Sequence, residues 1–420
     1  MTQPTTAVVG SGVSGLTAAY VLQQRDDVTL YEAQPRLGGH AHTHDVVTAD
    51  DRLVPVDSGF IVHNDRTYPS LRRLFRELGV ETRASDMSLS VRCDGCGLEY
   101  SGARGPAGRF AQPRNLVNPA FVSLLGQILR FHRHARRVLE AETDDALTLG
   151  DFLAGGRYSP YFVRHFLAPL VSMVWSCPPR TSMRYPARYL FVFLDHHGLL
   201  RINDAPQWRT VVGGSRVYVD LVAKELAATS IDTPVRSVDR HADFVEVRDD
   251  ADVVRRFDRA VIATHADEAL AILAHPTADE RAVLGAFGYS VNETVLHTDA
   301  SLLPRRARAR ASWNYHLDRC AAEPDAVRVS YHMNRLQRLE EPIDYIVSLN
   351  AGTGIAPEHV IARMTYTHPV YTPESVAAQA RLATLGDHRV AFAGAYHGWG
   401  FHEDGCASGV RAAATLGAEW

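Results

Sequence analysis

Three short stretches of this chain carry residue types whose spacing can do chemistry. The first is Gly10-Ser11-Gly12-Val13-Ser14-Gly15, a G-x-G-x-x-G string. Gly10 permits a tight turn. Gly12 lets the backbone approach a diphosphate at a helix N-terminus, with Val13 and Ser14 beside it, and Gly15 lets that helix lie close on a sheet. Glu32, about twenty residues on, is placed to accept hydrogen bonds from ribose hydroxyls. The second stretch is Arg36-Leu37-Gly38-Gly39-His40, and the third runs from Gly394 through Phe401-His402-Glu403-Asp404-Gly405 to Ser408. Histidine is abundant at 20 residues, whereas Lys224 is the sole lysine.

The elements around these stretches support a nucleotide site. Ala7-Val8-Val9 reads as a buried strand, and Gly12 to Gln24 has helical spacing of Val13, Leu16, Ala19, Tyr20 and Leu22. Val28 to Tyr31 reads as a second strand ending at Glu32, so the glycine string sits in a β-α-β unit. A helix is expected from Tyr68 to Leu78. Ser88 to Ser101 alternates around Asp94-Gly95, as a hairpin does. Residues 115–200 are expected to be mostly helical. Gly213-Gly214-Ser215 then opens a helix, Tyr218 to Ala228. Strands follow at Val235 to Asp239, Phe244 to Val247, Ala260 to Thr264 and Tyr345 to Leu349. The last expected strand is Val390 to Gly394, followed by a helix from about Gly405. One domain is thus expected in three pieces, 1–85, 211–280 and 386–420, with a second domain formed by 86–210 and 281–385.

Composition bounds the function. A chain of 420 residues is long enough for two domains, and 46% apolar content is that of a globular protein. No run approaches the ~20 apolar residues that cross a bilayer. The start of the chain has no basic segment followed by an apolar one, and five cysteines are not a disulfide framework, so cytoplasmic residence is expected. A net charge of -4 argues against nucleic acid as a partner.

The glycine string alone does not separate FAD from NAD. The Gly38-Gly39 pair and the segment Phe392-Ala393-Gly394 followed by Gly405-Cys406-Ala407-Ser408-Gly409 resemble the second and last FAD motifs of the amine oxidase and phytoene desaturase superfamily. The resemblance implies an α/β fold, with a Rossmann-like FAD-binding domain of the glutathione-reductase type and an inserted α+β substrate domain. It implies FAD, bound non-covalently, with Ala33, Arg36, His40, Val235, Phe401 and Ser408 among its contacts. His40 stands where the family motif usually has Arg, and Ala395 replaces a common acidic residue. Asp404 or Glu403 is therefore expected to take over the ribityl contact. Further stretches, among them Gly38 to Thr43, Asp57 to Asn64, Pro206 to Ser215 and Gly400 to Gly405, resemble a bacterial group of FAD-binding, amine-oxidase-like proteins. These are commonly encoded beside methyltransferases of the cyclopropane-fatty-acyl-phospholipid synthase type. That resemblance implies work on unsaturated acyl chains of phospholipids, with such a methyltransferase as a partner.

The residues narrow the chemistry. Amine oxidases of the superfamily place a lysine near the flavin, and Lys224 falls in a helix that looks structural. No second G-x-G-x-x-G provides an NADPH domain. Phe401 matches the position of an aromatic that faces the flavin, and its lack of a hydroxyl suits an apolar substrate. A double bond weakens the adjacent C–H, so an unsaturated chain is the expected hydride donor. A base must take a second proton. His40, His42, His44, His63 and His402 are candidates, with His402 and His40 first. Amine oxidation and a non-catalytic, FAD-bound role beside a methyltransferase are the alternatives.

Three further features complete the reading. Cys93-Asp94-Gly95-Cys96 is a C-x-x-C with no second pair offered by Cys177, Cys320 or Cys406, so it is expected to be a hairpin turn and no metal is expected. Phe121 to Leu139 is an amphipathic helix with Arg130, Arg133, Arg136 and Arg137 away from its apolar side, able to lie on an anionic membrane. Arg305 to Arg310 is expected to be a solvated loop.

Overall fold

The computed structural model describes residues 3–102, 105–141, 147–200, 206–320 and 326–420. Met1 and Thr2, and residues 142–146 of the expected helical stretch, lie outside them. A five-stranded, wholly parallel sheet carries the strands Ala228–Ser230, Asp27–Tyr31, Thr5–Val9, Arg259–Ile262 and Val390–Phe392, in that order. Its central strands are covered on both faces. That is why they read as unbroken apolar runs such as Ala260-Val261-Ile262, all fully buried. The first helix, Val13–Leu22, is buried on nearly every side because the last helix, His402–Thr415, packs over it. A Cβ on Gly409 would collide with the Ser14 carbonyl, so only glycine allows the two helices to lie this close.

A second, seven-stranded sheet is ordered Val360–Val370, Gly288–His297, Ile346–Leu349, Val329–His332, Trp313–Leu317, Leu89–Cys93 and Leu98–Ser101. It is antiparallel except where Leu89–Cys93 runs parallel to Trp313–Leu317. Helices Pro119–Glu140, Ala168–Trp175 and Ala187–His196 form a separate apolar cluster around Phe131, Leu170 and Phe191. The Cys93 to Cys96 segment is the tip of the expected hairpin.

Three local expectations are corrected. The helix after Gly214 spans Arg216–Glu225, and Ala228 begins an edge strand instead of ending that helix. A third strand, Val254–Phe257, joins Val235–Arg240 and Val245–Asp249 in a small antiparallel sheet. Its residues 254–256 are exposed, so it lacks the apolar signal that marks a buried strand. The last helix begins at His402, before Gly405, because the Asp404 carboxylate accepts the Phe401 N–H at 2.9 Å and caps it there.

Candidate active site

The glycine string forms the cradle that its spacing implies. Gly10 has φ +99°, and a Cβ there would stand 2.9 Å from the Ala263 carbonyl oxygen. A Cβ on Gly15 would collide with the Gly10 carbonyl. At Gly12, the residue that starts the first helix, nothing lies within 4 Å of a Cβ position, so the helix end opens on free space. Gly39, at φ +55°, passes with its Cβ position 3.1 Å from the Gly12 Cα. The Glu32 carboxylate accepts the Ser11 N–H at 3.0 Å and the Gln34 N–H at 2.8 Å, which fixes it at the end of its strand.

These groups wall one end of a cavity of about 1520 Å³. Of the residues expected to meet a cofactor, Gly10, Gly12, Val13, Ser14, Glu32, Ala33, Arg36, Gly39, His40, Val235, Gly394 and Phe401 line it, as does His402. An open helix N-terminus, with Arg36 on the same cavity wall, suits a diphosphate, and Glu32 suits a ribose. The buried His40 Nε2 has no protein partner and is free to meet a ligand polar atom.

Other expected contacts are spent inside the protein. Asp404 holds the Phe401 amide and does not line this cavity; burial pushes its carboxyl up to about 6. The Glu403 carboxylate accepts the Ser70 and Leu71 N–H groups at 2.9 and 3.0 Å, capping the helix Pro69–Glu77. Neither carboxylate lines the cavity, where the ribityl contact was expected of one of them. Ser408 donates to the Gly405 carbonyl at 2.7 Å and accepts the Gly394 N–H at 2.9 Å, which ties strand end to helix. Gly405 is small because Val13 Cγ1 would stand 2.6 Å from its Cβ, and Gly38 makes the φ +107° turn behind the cavity. These three position the cradle without lining it.

The five candidate bases separate. His40, His42 and His402 line the cavity; His44 and His63 do not. His402 stacks on Phe60 at 3.6 Å between ring centres, and its Nε2 is 3.1 Å from the Tyr218 hydroxyl. Burial, then the nearby His63, hold His402 down to about 3, so near neutrality it is an uncharged partner and a weak base. His40 is depressed well below its ordinary value by burial, then by His368 and His265. Its ring centre is 4.9 Å from that of Tyr366 and 5.4 Å from that of His368. Tyr366 hydrogen-bonds His42 Nδ1 at 3.0 Å and Ser58 Oγ at 2.8 Å, and Ser58 reaches His44 Nε2 at 2.9 Å. His265, Tyr366 and His368 all line the cavity, and none was singled out from sequence. The available signal was alternation along Val360–Val370, which puts Met364, Tyr366 and His368 on one face.

The far part of the cavity is apolar. Its wall includes Leu125, Ile128, Leu129, Phe166, Leu170 and Met173. Phe401 lies in this wall, stacked on Phe193 at 4.9 Å and 17°. Trp399 backs the seam, its carbonyl accepting the Trp175 indole N–H at 3.0 Å. Among the described residues, the carboxylates on the cavity wall are Glu32 and Glu268. Glu268 is exposed and caps the His265 N–H at 3.1 Å.

Residues 13–331 match the family described as flavin containing amine oxidoreductase, more than half of the chain. The chain belongs to that family. The fold agrees: it superimposes on cyclohexylamine oxidase from Brevibacterium oxydans IH-35A with TM-score 0.71 at 16% identity, covering 99% of each chain. It also superimposes on a CLA-producing fatty acid isomerase from P. acnes with TM-score 0.65 at 16% identity, covering 97% of each. A stretch of 108 residues is 40% identical to carotenoid phi-ring synthase of Streptomyces griseus, 24% of this chain but only 20% of that relative's length.

The protein is therefore an FAD-dependent oxidoreductase of the amine oxidase family. When bound, FAD supplies a hydride acceptor. The flavoprotein's own residues set what reaches it. Lys224 is exposed in the last turn of Arg216–Glu225 and does not line the cavity, so no lysine serves the reaction there. Cys406 is buried, accepts the Thr17 hydroxyl at 3.4 Å and is also off the cavity wall. The expectation that Cys93 and Cys96 have no further ligand-type partners is corrected: Cys320 and His165 converge on them.

Proposed function

We propose that this oxidoreductase acts on unsaturated fatty acyl chains, drawing hydride from an allylic carbon. The observation that carries the reading is the composition of the far cavity wall, which among the described residues is apolar and offers no buried carboxylate to a cationic amine. Removal of a hydride and then a proton would leave a diene; return of the hydride alone to the far end of the allylic cation would move the double bond. The His40, Tyr366 and His368 cluster lines the cavity, and His40 Nε2 is uncommitted. Held neutral by burial, His40 is like His402 a weak base, and would take only the strongly acidic proton of the cation left by hydride loss. Similarity to proteins named for fatty acid isomerisation and carotenoid ring synthesis is in keeping with an apolar substrate.

A phospholipid acyl chain must be reached at a membrane. Among the described residues, no helix is long and apolar enough to cross one. Helix Pro119–Glu140 supplies Leu125, Ile128 and Leu129 to the cavity wall, and Val117 just before it and Val122 and Leu129 on it are about half exposed or more. Arg133, Arg136 and Arg137 are exposed on the same helix. This helix would rest on an anionic bilayer and admit the chain, and a methyltransferase of the cyclopropane-synthase type would share the same lipid.

The deciding experiment is anaerobic mixing of the FAD-loaded protein with vesicles of cis-unsaturated phospholipid. Bleaching of the flavin, or a diene or shifted double bond in the recovered lipid, is the expected result. Neither change with lipid, together with bleaching by an alkylamine, would establish amine oxidation instead. No change with either would favour a non-catalytic role.

A further inference from the structure

We infer that Cys93, Cys96, Cys320 and His165 form a binding site for a single zinc ion. The four come from three separate parts of the chain. Cys93 and Cys96 flank the tip of the hairpin Leu89–Ser101, Cys320 follows the strand Trp313–Leu317, and His165 lies in a π-type turn, Val163–Leu167. Yet their ligand atoms all lie within 4.8 Å of one another. Cys93 Sγ is 3.5 Å from Cys320 Sγ, and Cys96 Sγ is 3.6 Å from His165 Nε2. A tetrahedral ion with Zn–S bonds of ~2.3 Å has edges of about 3.8 Å, so the group already stands near the size that zinc requires. A cluster of several iron atoms would need a wider cage.

The surroundings favour ligation over coincidence. His165 is 1% exposed, and its Nδ1 lies 3.0 Å from the Tyr161 carbonyl oxygen. Nδ1 therefore carries the proton and donates, and the Nε2 lone pair is left pointing at the sulfurs. This is the outer-shell arrangement that orients a metal-bound imidazole. The Tyr161 ring stacks on His165 at 4.1 Å, and the Tyr100 hydroxyl donates to the His165 carbonyl at 2.7 Å. Gly95 lets the hairpin tip press on Cys320, since a Cβ there would stand 2.8 Å from the Cys320 nitrogen. Gly97 makes the return at φ +67°. Asp94 is engaged by Arg92 at 3.0 Å and His316 at 2.8 Å, so it is not needed as a ligand. Four protein ligands leave no open coordination position, which makes the site structural. Binding releases the protons of three thiols and leaves the sulfurs as thiolates.

The site joins the edge of the seven-stranded sheet to the turn that carries Phe166. Tyr100 and Phe166 line the substrate end of the cavity. Zinc would hold the wall on which an apolar chain rests, far in sequence from the FAD motifs.

The test uses the FAD-loaded protein, purified without chelator or a metal-binding tag. Elemental analysis should give about one zinc per chain, as one four-ligand site requires. Cys96→Ser should lose that zinc while Cys177→Ser keeps it. Because a cysteine variant could misfold, retained FAD in Cys96→Ser serves as the folding control. A second measurement needs no variant: cobalt added to demetallated, reduced protein should give the absorption of tetrahedral, thiolate-bound Co(II), and zinc should abolish it. Zinc should also shield Cys93, Cys96 and Cys320 from alkylation. Absence of zinc in the purified protein, with no cobalt spectrum and no shielding, would overturn the inference. So would a Cys93–Cys320 disulfide in protein kept reduced and supplied with zinc.

Discussion

At the scale of single residues, Gly12 and Gly15 make opposite predictions from the same motif. A Cβ on Gly12 meets nothing, so Gly12→Glu should fold, but its carboxylate would occupy the anion site at the helix start. The variant should be purified colourless, with a near-native melting profile, and full FAD content in it would refute the cradle. Gly15→Ala has no such room and should fail to give folded protein at all. The flavin should also leave completely on acid precipitation, since Cys406 is buried away from the cavity and bonded to Thr17; absorbance at flavin wavelengths retained in the pellet would contradict this. The cradle was legible in sequence because its chemistry is local: a turn, a helix start and an acid within about twenty residues. Asp404 is placed otherwise than expected: its carboxylate accepts the Phe401 amide three residues back, a helix-start cap that competes locally with any ligand contact. His265 and His368 stand about 225 and 330 positions from His40, so only the packed sheet shows that they meet.

Among the elements, helix Pro119–Glu140 shows what periodicity reveals and what it misses. Its inward residues Phe121, Leu124, Phe131 and Ala135 follow the helical repeat. The repeat could not show that Arg130 is already engaged, with its guanidinium 4.4 Å from the Tyr158 ring centre and bonded to the Arg157 carbonyl. A membrane test should therefore spare it. Replacing Arg133, Arg136 and Arg137 by Gln should weaken binding to anionic vesicles by at most about 3 kcal/mol, at ~1 kcal/mol per charge. Added salt should weaken the wild type likewise. FAD content should not change. Equal co-sedimentation of wild type and variant at low and high salt would remove the helix from the docking surface. The separate strand Val254–Phe257 was missed because an exposed strand carries no apolar alternation.

Over the whole molecule, the histidines dictate how stability depends on pH. Twelve of them, including His40, His63, His297, His397 and His402, are held below the ordinary imidazole value, mainly by burial. A depressed imidazole contributes stability above about 6.5, the unfolded value, and loses it as pH falls toward the folded value. The buried Asp57 and Asp404 carboxyls, raised to about 6, and the Glu403 carboxyl, also raised by burial, act in the other direction, but they are three against twelve. The melting temperature should therefore fall steeply between about pH 6.5 and pH 4.5. His397→Asn, which removes a group held down to about 3, should make that fall shallower; an unchanged slope would show that this imidazole is not buried as neutral.

The packing of Val13–Leu22 against His402–Thr415 also bears on how the protein is made. The phosphate cradle leaves the ribosome well before the elements that complete it. The strand Val390–Phe392 and the helix that seal its floor are the last of the described elements to emerge. A nascent chain thus holds a half-built nucleotide site until those two elements emerge, with Leu16, Ala18 and Val261 lacking their final cover. Tight FAD capture must wait until the helix His402–Thr415 has emerged and docked, and the interval before that sealing is when a chaperone would be needed most.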